Sequence, residues 1–241
     1  MKLYKYASPA MFYPLAGKLI PWFATAAAVL FAAGLFVGFF IAPTDFQQGD
    51  AYRIMFIHVP AAWMGMFLYV LMAIYAGVGW AFNARLSSMM ASAIAPTGAM
   101  FTLISLVTGA FWGKPTWGTW WAWDARMTST LILLFLYIGF ISLQAAIDDP
   151  RRADRAGAVL ALVGVINVPV IYFSVQWWNT LHQGATIRLL GKPTITGEMA
   201  ASMLILLGAC WLYSVAVVLI RLRCIILERE QNAARFAEVS V

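Results

Sequence analysis

Residues 54–84 read IMFIHVPAAWMGMFLYVLMAIYAGVGWAFNA and contain no Asp, Glu, Lys or Arg. This stretch is longer than the roughly 20 apolar residues that a helix needs to cross a hydrocarbon core of about 30 Å. Inside lipid the backbone has no water to bind, so such a stretch must satisfy its hydrogen bonds internally as a helix. The sequence therefore predicts a membrane-spanning helix here.

Five further stretches share this absence of charge: residues 19–44, 86–113, 127–147, 156–187 and 199–220. The whole chain is 63% hydrophobic and 11% charged, whereas a soluble domain carries about 25% charged residues. We predict an all-α integral membrane protein, with residues 1–241 forming a single six-helix membrane domain. The expected helix cores lie near residues 22–42, 60–82, 91–111, 128–147, 157–176 and 200–220.

The distribution of positive charge predicts the orientation of these helices. Eleven of the sixteen Lys and Arg residues fall on the side of the membrane that holds both termini. Cytoplasmic loops of membrane proteins carry an excess of Lys and Arg, so we expect both termini in the cytoplasm. The loops at residues 43–53, 112–127 and 177–198 then lie at the opposite surface.

The densest group of unusual residues is the Trp-rich loop, which we define as residues 112–127. It holds five of the eleven tryptophans in the chain. Pro115 and Gly118 interrupt regular structure, so we expect the loop to lie along the membrane surface. If residues 117–124 form a helical turn, four side chains share one face: Trp117, Trp120, Trp121 and Asp124.

Two interpretations of this loop remain open. Tryptophans commonly gather at the membrane–water interface, so the cluster is typical of an interfacial aromatic belt. Five tryptophans in one loop also favour a flat apolar platform for a large planar ligand. On the second interpretation, the candidate ligand-binding residues are Trp117, Gly118, Trp120, Trp121, Trp123, Asp124 and Arg126.

The chain has only two histidines, His58 and His182, and both are expected at the surface that carries the Trp-rich loop. Each could be an interfacial residue with a solvated tip, but together they also form a candidate pair of metal ligands. Zinc generally requires three or four protein ligands, whereas haem iron requires only one or two axial ligands. The pair therefore favours haem, with Arg53 and Arg126 as the nearest cations for its propionates.

The absence of several motifs restricts the type of haem attachment and the activities that the chain can have. The sequence has no C-x-x-C-H, so the expected cofactor is haem b, held non-covalently by both histidines. It has no G-x-S-x-G, no H-E-x-x-H and no phosphate-binding loop, so we predict no catalytic residue and no ATP hydrolysis by this chain. Two alternatives remain: a transporter permease that moves haem or another substrate through the bundle, and a passive assembly subunit with an aromatic belt.

The run WGTWWAWDARMT at residues 117–128 resembles the WWD signature of haem-handling membrane proteins. With His58 in HVPAAW and His182 in WWNTLHQG, it is similar to the CcmC family, the haem-handling C subunits of bacterial cytochrome c maturation. The resemblance spans about residues 42–184, and Met127 stands where the family more often has Leu.

This resemblance implies haem held by His58 and His182 at the periplasmic surface of the bacterial inner membrane. It implies that the Trp-rich loop shapes the haem site and the transfer of haem to a periplasmic haem chaperone, CcmE. It also implies an ABC-type partner pair, CcmA and CcmB, which would supply the ATPase, and a small one-helix protein, CcmD.

Overall fold

The structure is a computed structural model that describes residues 6–182 and 195–239, with side chains described up to residue 230. The described residues contain no β-strand beyond one isolated bridge between Asp45 and Gly49. The α-helices are α1 (Pro9–Phe36), α2 (Met55–Phe82), α3 (Arg85–Trp117), α4 (Ala125–Ala146), α5 (Pro150–Gly164), α6 (Asn167–Trp177) and α7 (Gly197–Val239).

Six helical segments in the described chain are long and apolar enough to cross a membrane, which confirms the predicted fold class. They are Pro9–Ile41, Asp50–Phe82, Arg85–Trp117, Ala125–Ala146, Pro150–Trp177 and Gly197–Glu230. Several extend beyond the predicted cores, because the backbone stays helical past the stretch without charge. The orientation of the termini stays a prediction.

The centre of the bundle is built on α2 and α3, which pack along each other, while α1 packs against α7. The buried Tyr137 of α4 reaches between the central helices, and its hydroxyl donates a hydrogen bond to the Gly65 carbonyl at 2.8 Å. Gly98 of α3 makes room for this ring, since a β-carbon at that position would overlap the phenol. Close packing of small residues against large ones is how membrane helices associate.

The fifth span is divided, although the sequence predicts one helix core at residues 157–176. α5 ends at Gly164 and α6 begins at Asn167. Pro169 has no N–H to offer the Val165 carbonyl, and that carbonyl accepts instead from the Val168 N–H at 3.1 Å. The Asn167 amide donates to the Ser129 carbonyl of α4 at 2.8 Å, which anchors the start of α6.

Candidate functional site

One end of the bundle contains a pocket of about 580 Å³, a volume that includes space at its open mouth. We call it the histidine pocket. It lies between α2, the end of α3, the start of α4 and the end of α6, and its lining includes His58, Gly109, Trp112, Trp117, Arg126 and His182.

The two histidines lie close together in the lining of this pocket. Their ring centroids lie 6.0 Å apart, and the ring planes differ by 32°. His58 is buried in the first turns of α2, whereas His182 is partly exposed beyond the end of α6. The chain thus brings together two imidazoles that are more than 120 residues apart in sequence.

The final turns of α3 hold the His58 ring in place. The Nδ1 atom of His58 lies 3.1 Å from the Thr108 hydroxyl oxygen. Trp112 meets the ring edge to face, with centroids 5.7 Å apart. The Trp112 indole N–H in turn donates to the Gln48 side-chain oxygen at 2.7 Å. The buried imidazole is therefore held by two side chains of α3, one of which is itself anchored by Gln48.

Thr108, Gly109 and Gln48 lie at or next to the site but were not predicted from the sequence. Thr108 and Gly109 occupy a helix stretch that has no charge and reads as lipid-facing or core. Their spacing from Trp112, at four and three residues, does place them near the same helix face. That spacing could have linked them to Trp112, but only the packing of α2 against α3 shows that this helix face is turned towards His58.

The two predicted cations differ in position. Arg126 lines the histidine pocket from the first turn of α4. Arg53 is not among the lining residues: its Nε donates to the Asp50 carboxylate at 2.9 Å, and its Nη1 donates to the Gly38 carbonyl. Of the two arginines, only Arg126 is brought to the pocket by the described structure.

The Trp-rich loop is shorter than predicted, because α3 continues through Pro115 to Trp117. Gly118 then adopts a left-handed conformation, with φ of 77°, and ends the helix. Its N–H donates to the Lys114 carbonyl at 3.1 Å. Trp117 stays at the pocket, with its ring centroid 6.1 Å from that of His182.

Trp120, Trp121 and Trp123 do not line the histidine pocket. Residues 118–124 form no helical turn, so the common face expected for such a turn is absent from this segment. Trp120 packs edge-on against Phe111 with centroids 5.5 Å apart, and Trp121 packs against Trp123 at 5.3 Å. Trp120 and Trp123 are 50% and 78% exposed, and they form an apolar surface beside the pocket.

Asp124 fixes the start of the helix that carries Arg126. One oxygen of its carboxylate accepts the Met127 N–H at 2.8 Å, as an N-cap residue does. Among the described residues, no ion pair joins Asp124 to Arg126. The carboxylate therefore acts on the position of Arg126 through the backbone of α4.

These features define a class: all-helical, multi-pass membrane proteins that hold two neighbouring histidines in an aromatic-lined pocket at one end of the bundle. The chain belongs to the CcmC family, whose family model, described as "Heme exporter protein C", matches residues 2–237. This confirms the resemblance seen in the sequence.

Individual relatives agree with this assignment. "Heme exporter protein C" of Escherichia coli (strain K12) is 45% identical over 237 residues, which cover 98% of this chain and 96% of the relative. The protein of the same name from Bradyrhizobium diazoefficiens is 43% identical over 240 residues, covering 100% and 91%. A "Putative cytochrome c biosynthesis ccmC-like mitochondrial protein" of Marchantia polymorpha is 45% identical over 170 residues, covering 70% and 69%.

Proposed function

We propose that this chain binds haem b non-covalently between His58 and His182 and delivers it to a CcmE-like periplasmic haem chaperone for cytochrome c maturation. The names of its relatives refer to heme export and to cytochrome c biosynthesis, and they support a role in haem handling. Haem is the cargo of this protein rather than a resident cofactor. The chain is a haem-handling membrane component, and we assign no catalytic residue to it.

The separation of the two imidazole rings is the observation that carries the proposal. A metal–nitrogen bond is about 2.0–2.1 Å long, and the ring centre lies about 1.1 Å beyond the nitrogen. Two imidazoles across one iron therefore have centres roughly 6.3 Å apart. The observed separation of 6.0 Å is close to this value. This spacing supports the proposal that the histidine pair holds a single iron from opposite sides.

The rest of the histidine pocket suits the other parts of a porphyrin. Trp112 and Trp117 offer aromatic walls to an apolar planar ring. Arg126 offers a guanidinium that can bind a propionate carboxylate in bidentate fashion. Bound haem supplies an iron with four nitrogens of its own, so two protein ligands complete its coordination.

The location of the site follows from the positive-inside rule. We propose that the protein lies in the bacterial inner membrane, with both termini cytoplasmic and the histidine pocket at the periplasmic surface. CcmA and CcmB subunits would supply ATP hydrolysis, and a CcmD-like one-helix protein would complete the complex. The chain itself contributes binding, orientation and electrostatics, while haem carries the redox chemistry.

The exposed tryptophans beside the pocket are proposed to receive the chaperone. Trp120 and Trp123 present large apolar side chains at the loop surface, and aromatic residues are frequent anchors in protein interfaces. Gly118 and Trp121 shape the same loop, through the helix end at Gly118 and the packing of Trp121 on Trp123. The loop thus joins the haem site to a docking surface.

A transfer experiment tests binding and delivery together. Purified protein is expected to show the absorption spectrum of a six-coordinate haem, and this spectrum should decay when the chaperone is added as haem moves to it. Trp123→Ala should retain the six-coordinate spectrum but transfer haem about tenfold more slowly, since loss of one aromatic anchor costs more than about 1 kcal/mol. Absorbance of the separated proteins measures both steps.

The matched control is Trp22→Ala, because Trp22 is also 78% exposed but lies on α1, away from the loop. It should transfer haem at the wild-type rate. A five-coordinate or haem-free wild-type protein would contradict the proposed site. Equal transfer rates for Trp123→Ala and wild type would contradict the role given to the loop surface.

The two arginines should respond differently to substitution. We expect Arg126→Gln to weaken haem binding by roughly ten- to a hundredfold, because a lost charge-assisted hydrogen bond costs about 1.5–3 kcal/mol. Arg53→Gln should change the affinity by less than about threefold, since Asp50 and the Gly38 carbonyl already hold that guanidinium. Haem titration measures both, and equal losses would argue that both arginines hold propionates.

A further inference from the structure

The His58 imidazole has two ring nitrogens, and the structure constrains what each can do. A neutral imidazole carries a proton on one nitrogen and a lone pair on the other. Only the nitrogen with the lone pair can bind a metal, and the partner of the other nitrogen decides which one that is. The groups around Nδ1 therefore determine whether Nε2 is available as a ligand.

The Thr108 hydroxyl lies 3.1 Å from Nδ1, and its own hydrogen is already committed. It is 2.6 Å from the Ile104 carbonyl, a short distance typical of a donated O–H hydrogen bond. The Ser105 carbonyl lies farther from it, at 3.3 Å. With its hydrogen on Ile104, the Thr108 oxygen can only accept from His58, so Nδ1 must carry the proton.

A second acceptor lies beside Thr108. The Ser105 carbonyl is 3.3 Å from the Thr108 hydroxyl, and Ser105 lines the histidine pocket with His58. A carbonyl oxygen has no hydrogen to donate. The acceptors at this edge of the ring therefore favour the tautomer with the proton on Nδ1.

Gly109 keeps the ring close to these acceptors. A β-carbon at position 109 would lie 3.1 Å from Cε1 and 3.5 Å from Nδ1 of His58. The edge of the imidazole therefore lies almost against the backbone of α3. Trp112, one turn beyond Thr108, closes the side of the ring at a centroid distance of 5.7 Å.

We infer that Thr108 is a positioning residue that holds His58 in the tautomer protonated on Nδ1 and so leaves Nε2 as the iron ligand. The ligand role of Nε2 rests on the proposed function, but the tautomer does not require bound haem. A hydrogen bond to the outer nitrogen also makes the imidazole a more basic ligand. Thr108 therefore acts on both the geometry and the strength of the axial bond.

The tautomer can be measured without haem. The chain has only two histidines, so haem-free His182→Ala protein labelled with ¹⁵N-histidine reports on His58 alone. We expect its nitrogen chemical shifts to show a proton on Nδ1. Thr108→Val, which has nearly the same shape but no hydroxyl, should raise the fraction protonated on Nε2, and Thr108→Ser should restore the Nδ1 form.

The strength of the axial bond is measured on haem-loaded protein with His182 intact. Thr108→Val should lose haem to a competing apo-globin about tenfold faster, the lower end of the usual effect of removing an outer partner. Its midpoint potential should rise, since a less basic imidazole stabilises ferric iron less. Thr108→Ser should return both quantities towards the wild-type values.

The outcomes separate this inference from the proposed function. If His58→Ala leaves the haem spectrum unchanged, the proposed ligand is wrong, and the nitrogen shifts still decide the tautomer. If haem binding depends on His58 but Thr108→Val changes neither the tautomer nor the potential, the role of Thr108 is overturned and the haem site stands. A wild-type His58 protonated on Nε2 would overturn it directly.

Discussion

Replacing either His58 or His182 by glycine is expected to abolish the six-coordinate haem spectrum, and added imidazole is expected to restore it. Each substitution removes one of two rings whose centroids are 6.0 Å apart and leaves a cavity of imidazole size. Haem retention should fall by at least about 100-fold, because losing a ligand costs no less than losing its outer hydrogen-bond partner. Absorption spectra with and without imidazole measure the effect.

The two variants should differ in how readily imidazole rescues them. His58 is 7% exposed and its ring packs against α3, so the cavity left by His58→Gly is deep. His182 is partly exposed beyond α6, so its cavity is more open to added imidazole. Rescue should need less imidazole for His182→Gly than for His58→Gly. Imidazole should leave wild type unchanged, and a variant that keeps its spectrum without imidazole would remove that histidine from the site.

Gly98→Ala is expected to give the largest loss of stability among single methyl additions in the bundle core. The added carbon would overlap the ring and hydroxyl of Tyr137, which is fully buried. Relief of the overlap requires Tyr137 to move away from the Gly65 carbonyl, so its hydrogen bond of 2.8 Å is lost as well. Overpacking and the unpaired hydroxyl together should cost about 3 kcal/mol or more.

A matched control for this substitution lies on α7. A β-carbon at Gly208 would meet its nearest neighbour, Leu30, at 3.6 Å, which is ordinary contact. Gly208→Ala should therefore be neutral or stabilising by up to about 1 kcal/mol, the helix-propensity difference. Thermal unfolding in detergent, followed by circular dichroism, compares the two variants. Equal unfolding midpoints would mean that Tyr137 can move aside without cost.

The depth of each residue in the membrane could be predicted from the sequence, because charged residues mark where each helix leaves lipid. The six spans follow from the positions of the charged residues alone. The same rule places His58 and His182 near one surface, since each lies close to the end of an uncharged stretch. Their ring separation could not be predicted, because it depends on how the helices rotate and pack, which distant parts of the chain decide together.

Two local features bear on these predictions and are visible in the sequence. The role of Arg53 at a propionate stays a prediction, and Asp50, three residues before it on a helical turn, pairs with its guanidinium. The fifth span was predicted as one helix core at residues 157–176, but Pro169 removes a backbone donor and α5 ends at Gly164. The position of Thr108 under His58 is not visible in the sequence, because it depends on the packing of α2 against α3.

Because the fifth span is interrupted, His182 follows the far end of a short helix, α6, that is separate from α5. α6 has 11 residues, a length of about 16 Å at 1.5 Å per residue. A tilt of about 10° at the Val165–Ile166 turn would displace its far end, next to His182, by roughly 3 Å. Such a displacement exceeds the length of a metal–nitrogen bond, about 2 Å. A tilt of α6 would therefore break the proposed axial bond of His182 and leave that of His58 in place.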